Sequence, residues 1–296
     1  MAGMNTTTNI SISDLEVSAD ELDPATAAAI YQEHGALIVR GLMKPYLAEI
    51  QRDFDFFIEQ ARANIDAARP CAAGWQGPEG TLFIPAPESY GRDKQIMVLG
   101  MRYKSSSAFF RSAWDQRMLD VLEQIIGPDI ELFMDGQCLV KEPVGGHPKN
   151  LHQDGAYFTH KMDGPTAILS YAVDTPIERG ALRIVPGSHR LGLLDHIDTS
   201  SHLGLDPQDW PWERSIAIEG EAGDSIFFHI NTIHGSQPNH TEQERPVFIH
   251  RYRHPHDYTV ARGHSVSSLH STEPDAESTR KQQEGYMVRG RRALPR

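Results

Sequence analysis

Cysteine is almost absent from this 296-residue chain: Cys71 and Cys138 are the only two, far apart and in no Cys-x-x-Cys pair. That excludes a disulfide framework and a cysteine-based zinc knuckle, and it points to a reducing, cytoplasmic setting. No run is apolar for long enough to cross a bilayer, and the opening MAGMNTTTNISISDLEVSAD lacks a basic segment followed by an apolar one. Neither a membrane span nor a secretory leader is therefore expected. Positive charge is also scarce. With 28 Lys and Arg against 40 Asp and Glu, the formal net charge is -12, which argues against a nucleic-acid partner because phosphate binding needs clustered cations. Repeats, low-complexity tracts and a Pro/Ser linker are missing too. With 39% hydrophobic residues the chain can bury a sizeable core, and the reading is a single domain over residues 1–296 with polar tails at about 1–20 and 265–296. A homo-oligomer stays open.

The front of the chain carries helix signals. In LDPATAAAIYQEHG, Asp23 is an N-cap, Pro24 takes the first helical position and Gly35 is the stop. ALIVRGL follows as a strand, and from Pro45 the residues Leu47, Ile50, Phe54, Ile58, Ala61 and Ile65 recur at a helical period. Residues 69–96, rich in Gly and Pro and carrying Trp75, Phe83 and Tyr90, predict a long loop with aromatic contacts. SSAFFRSAWDQRMLDVLEQIIGPD predicts one helix with Trp114, Met118, Val121 and Ile125 on one face. Beyond residue 129 come short apolar runs bounded by turn residues, among them QCLVKE, TAILSYAV, ALRIVP, DSIFFHI and PVFIHRYR. Such a series predicts a mainly β sandwich or jelly roll with the helices packed outside.

Chemistry enters at NLHQDGAYF. In extended backbone, side chains two apart share a face, so His152 and Asp154 project together. An imidazole and a carboxylate converging from a strand end supply two of the three ligands of a facial triad for Fe(II). The third candidate is His234, in GDSIFFHINTIHGSQPNHTEQERPVFIHRYR. This stretch predicts a hairpin, with Ser236 on the face of His234 and Arg245 returning beside them. A guanidinium entering an apolar strand calls for an anion, and its planar fork suits a carboxylate. Taken singly, His234 also fits a satisfied core histidine and Arg245 a surface residue at a loop end.

Taken together, HQD at 152–154, ERGALRIVPGSH at 178–189, HGSQPN at 234–239 and Arg245 eleven positions after the distal histidine resemble the phytanoyl-CoA dioxygenase family of Fe(II)/2-oxoglutarate oxygenases. The resemblance implies a double-stranded β-helix, iron held by His152, Asp154 and His234, and 2-oxoglutarate held by Arg245 and Ser236. Gln137 is similar in position to a cosubstrate-contacting residue of ectoine hydroxylase-like relatives, with Lys141 a competitor for that role. His189 is expected to be structural. The implied reaction uses O2 to hydroxylate a small molecule while 2-oxoglutarate becomes succinate. Asp154 disfavours halogenation, since related halogenases carry Gly or Ala there. Two rivals remain: a non-catalytic jelly-roll binding protein, and a zinc hydrolase using the same three ligands. A CoA ester is disfavoured by the acidic balance. Trp75, Phe83 and Tyr90, with Trp210 and Trp212 of DPQDWPW, are expected either to rim an apolar pocket or to pack the sheet edge.

Overall fold

The computed structural model describes residues 10–199, 203–261 and 284–293. Two sheets face each other as a jelly roll. The larger is organised around strand Arg245–Arg253, which pairs antiparallel with Thr166–Tyr171 on one side and Gln137–Lys141 on the other. All nine of its residues are buried because both faces are covered. The two-residue period divides them: Val247 and Ile249 pack toward the smaller sheet with Leu182, Ile184 and Ile218, whereas Phe248 and Tyr252 pack outward among helical residues. The smaller sheet runs Ile216–Ile218, Leu182–Ile184, His234–Ser236, Lys149–His152, all antiparallel.

The helices cover the outer face of the larger sheet. Helix α1, Pro24–His34, starts where the Asp23 carboxylate accepts from the Thr26 amide and ends at Gly35 in the left-handed conformation, φ 70°. A Cβ on Gly35 would lie 2.3 Å from Nδ1 of His189 and 2.7 Å from Oγ1 of Thr232. The Pro-Gly-Ser-His turn thus wedges against the helix end, a structural role for His189 as expected. Helix α2, Lys44–Ala63, buries Ile50, Phe54, Ile58 and Ala61 at the spacing its sequence dictates. No helix among the described residues is long and apolar enough to cross a membrane.

Four expectations need correction. The single helix predicted around Trp114 is two, α3 Ser107–Ser112 and α4 Gln116–Ile126, because the Asp115 carboxylate accepts from the amides of Arg117 and Met118 and starts a new helix there. The predicted loop at 69–96 contains strands Arg69–Cys71, Gly74–Gln76, Leu82–Pro85 and Lys94–Leu99, which extend the larger sheet as a meander. Its glycines mark the turns between short strands.

The predicted hairpin through His234 is also absent. Ser225–Phe228 and Arg245–Arg253 lie in the larger sheet and His234–Ser236 in the smaller. The Thr232 amide donates to His229 O, and its hydroxyl donates to Gly35 O at 2.6 Å, so the chain is turned across the interior at that point. Finally, Tyr286–Arg289, inside the stretch expected to be a tail, is a strand on Ile130–Leu132. Glu131 accepts there from the Gly285 amide and from Arg253, and it pairs with Arg292. The tail near the N-terminus is likewise shortened, since Glu16–Ser18 pairs parallel with Ala36–Arg40. The remaining parts of both expected tails, residues 1–9, 265–283 and 294–296, lie outside the described residues.

His250 joins α3 to the central strand. Its Nδ1 lies 2.7 Å from the Tyr103 hydroxyl, its Nε2 3.0 Å from that of Ser112, and its ring stacks on Phe109. Burial pushes this imidazole down to about 3 from its ordinary 6.5. An unfolded chain takes up a proton near 6.5 that the folded chain refuses until about 3, so stability is lost as pH falls through that window, by up to about 1.4 kcal/mol per pH unit. His250→Gln is expected to flatten the fall in urea midpoint on acidification from neutral pH. An unchanged slope would contradict the assignment.

Candidate metal centre

The two histidines meet because their strands pair. His152 ends the strand Lys149–His152, and His234 begins its neighbour directly opposite, with ring centroids 4.2 Å apart. Each ring is fixed from behind: His152 Nδ1 lies 2.8 Å from Asn150 O, and His234 Nδ1 lies 2.9 Å from Thr232 O. A carbonyl oxygen only accepts, so each Nδ1 donates its N–H there and each ring turns Nε2 to the other side. Burial also lowers the His234 pKa, against the opposing pull of Asp154, which favours the neutral ligand form.

Asp154 opens the short 3-10 turn Asp154–Ala156, immediately past the strand. The turn is held by Gln153, fully buried, whose amide donates to Gly192 O at 2.8 Å and Asn231 O at 2.7 Å and accepts from the Leu194 amide. The Gly155 amide adds a bond to Ile230 O at 3.0 Å. Oδ1 of Asp154 consequently stands 3.8 Å from both His152 Nε2 and His234 Nε2. One ligand atom from each of the three residues falls within 4.8 Å of the others, and all three side chains are buried. Two imidazoles and one carboxylate, converging on one point, fit a divalent metal ion.

The remaining predicted residues come from both sheets. Ser236 is buried on the face of His234, opposite Lys149. Arg245 is buried at the start of the central strand, its Nε and Nη2 donating to Gly180 O at 3.1 and 2.8 Å. It has no carboxylate partner among the described residues, and burial pushes its pKa down to about 10, which leaves it charged at neutral pH. Lys141 pairs in register with Arg245, but its ammonium donates to the carbonyls of His147 and Ser236, and burial drives its pKa well down. Gln137 approaches the centre indirectly, through Arg251.

Sequence reasoning missed two cations. Arg251 donates from Nη2 to Asp154 Oδ2 at 3.3 Å and from Nη1 to Gln137 Oε1 at 3.1 Å, with its guanidinium 5.7 Å from the Phe158 ring centroid. The signal was the strand period, since Arg245, Val247, Ile249 and Arg251 alternate onto one face. Lys149 is held by burial at about 8, with Asp154 pulling it upward. Its position opposite Ser236 depends on a register shift that no sequence pattern announces.

Four of the five singled-out aromatics make core contacts. Phe83 is fully buried in the outer core, Trp75 packs against the same core, and the Tyr90 hydroxyl donates to Pro143 O. Trp210 and Trp212 pack on Leu151, Leu205 and Ile233, thereby backing the residues adjacent to both histidine ligands.

The comparisons agree with this geometry. Over 145 residues the chain is 27% identical to a probable alpha-ketoglutarate-dependent hypophosphite dioxygenase of Stutzerimonas stutzeri, covering 46% of this chain and 50% of that protein. The chain thus spans half the length of that relative. A probable phytanoyl-CoA dioxygenase of Caenorhabditis elegans is 32% identical, covering 75% of this chain and 72% of that protein. Among solved structures, the non-heme alpha ketoglutarate dependent carbocyclase SnoK from nogalamycin biosynthesis superposes with a TM-score of 0.60 at 19% identity, covering 82% of this chain and 88% of that one, a likeness of fold. The model of the phytanoyl-CoA dioxygenase (PhyH) family matches residues 31–247, well over half of the chain, and the protein belongs to that family.

Proposed function

We propose that the protein is an Fe(II)- and 2-oxoglutarate-dependent dioxygenase that hydroxylates an unactivated C–H bond of a small molecule, with the chain acting as one oxygenase domain. The observation that carries this reading is a pair: three metal-ligand atoms within 4.8 Å of one another, and a buried Arg245 with no carboxylate partner among the described residues. A charged guanidinium satisfied only by a backbone carbonyl is costly to bury. A dianionic cosubstrate resolves it, with the distal carboxylate on the fork of Arg245 and the hydroxyl of Ser236 as a further donor.

Bound iron and 2-oxoglutarate supply the oxidising power: O2 and 2-oxoglutarate are consumed, CO2 and succinate leave, and one oxygen atom enters the substrate C–H bond. The chain's own work is placement. His152 and His234 present their Nε2 atoms, Asp154 presents one carboxylate oxygen, and the apolar layer of Val247, Ile249, Leu182 and Ile184 keeps water from the interior. A zinc hydrolase would use the same three ligands, but it gives Arg245 no anion. A binding protein without turnover would need neither open metal positions nor that arginine.

Mixing apo protein anaerobically with Fe(II) and 2-oxoglutarate is expected to produce the weak visible charge-transfer band of a metal-chelated 2-oxo acid, and His234→Ala is expected to lose it. Arg245→Met should keep Fe(II) but raise the KM for 2-oxoglutarate by about tenfold or more, as loss of a charged hydrogen bond implies, with Arg245→Lys intermediate. No band in the wild type, together with zinc-dependent hydrolysis indifferent to 2-oxoglutarate, would replace this reading with the hydrolase.

A further inference from the structure

Asp154 uses its two oxygens differently. Oδ1 faces both histidine Nε2 atoms at 3.8 Å, whereas Oδ2 turns away to the Arg251 guanidinium at 3.3 Å. The terminal torsion of an aspartate is broad and close to two-fold, so nothing intrinsic to the residue keeps one oxygen off a metal. Carboxylates bind metals through one oxygen or two. From this geometry we infer that Arg251 is a positioning residue of the metal centre, holding Oδ2 so that Asp154 engages the metal through Oδ1 alone.

The consequence is a count of positions, and it rests on the iron reading above. A metal held by two imidazoles and one carboxylate oxygen would keep open positions for a chelating 2-oxo acid and for O2. A second oxygen from Asp154 would take one of these. Arg251 therefore protects the vacancy that the cosubstrate and O2 require.

Arg251 is equipped for such a task by its surroundings. It lies on a strand buried on both faces, between His250 and Tyr252, whose side chains are fixed on the opposite face by Tyr103, Ser112 and Ala113. Nη1 is anchored on Gln137 Oε1, from the adjacent strand, and the guanidinium lies against Phe158, four residues past Asp154. Gln137 thus reaches the metal centre through Arg251. A lysine at 251 has one compact ammonium where arginine has a planar fork, and it can serve Oδ2 or Gln137 but not both with the same geometry.

The test is an anaerobic titration of apo protein with Fe(II), followed by 2-oxoglutarate, for the wild type, Arg251→Met, Arg251→Lys and Gln137→Leu. Fe(II) affinity is read by competition with a chromophoric chelator, 2-oxoglutarate binding by the charge-transfer band, and folding by thermal melting of the apo forms. In Arg251→Met the three ligands remain and a nearby positive charge is gone, so Fe(II) affinity should change by less than about tenfold. The 2-oxoglutarate concentration for half-development of the band should rise by about tenfold or more, with a shifted maximum. Arg251→Lys should recover part of that loss, and Gln137→Leu should move it the same way by less. If Arg251→Met does not fold, the other two variants carry the test. Wild-type half-points and maxima in the folded variants would overturn the inference, as would a loss of Fe(II) affinity larger than the loss of 2-oxoglutarate affinity. A wild type without any band would instead sink the iron reading itself.

Discussion

Pairing of Lys149–His152 with His234–Ser236 is the contact on which the rest of the site depends. It sets two imidazoles opposite each other at the end of a short sheet, and the backbone carbonyls of Asn150 and Thr232 then fix which ring nitrogen carries the proton. Neither histidine needs a dedicated side-chain partner for this. A backbone carbonyl two residues earlier supplies the orienting acceptor in each case, from within the strand for His152 and from the turn before it for His234. Asp154 then has only to turn back toward the pair, and the buried amide of Gln153 ties that turn to residues 192–194 and 231.

The charges inside the jelly roll follow a second constraint. The inner face of strand Arg245–Arg253 carries arginines at 245, 251 and 253 with apolar residues between the first two. Arg253 is paired with Glu131 and Arg251 with Asp154, whereas Arg245 rests on the carbonyl of Gly180. Of these three, Arg245 is the one without a carboxylate partner among the described residues, and in the proposed reading this contrast along one strand separates the cosubstrate end of the interior from the metal end.

Much of this was legible in the sequence, for reasons specific to each element. Helix α1 was bounded by Asp23, Pro24 and Gly35 because capping chemistry is local. The grouping of His152 with Asp154 was legible because Gln153 between them is extended, and His234 stood out through the His-Gly-Ser after an apolar run, although it begins a strand where the sequence suggested the end of one. What was lost depends on contacts distant in sequence. The meander at 69–96 is made of strands too short for alternation to register, and the predicted hairpin failed because Thr232 is captured by Gly35 O, 197 residues away. Arg251 was passed over for a similar reason, since its meaning lies in Asp154 and Gln137, which reach it only through folding.

The most direct test of the account is an anaerobic crystal structure of the protein with Mn(II) and 2-oxoglutarate. The expected ion sits on His152 Nε2, His234 Nε2 and Asp154 Oδ1, with the distal carboxylate of the 2-oxo acid on Arg245. An ion bound elsewhere, or a 2-oxo acid whose distal carboxylate avoids Arg245, would contradict it.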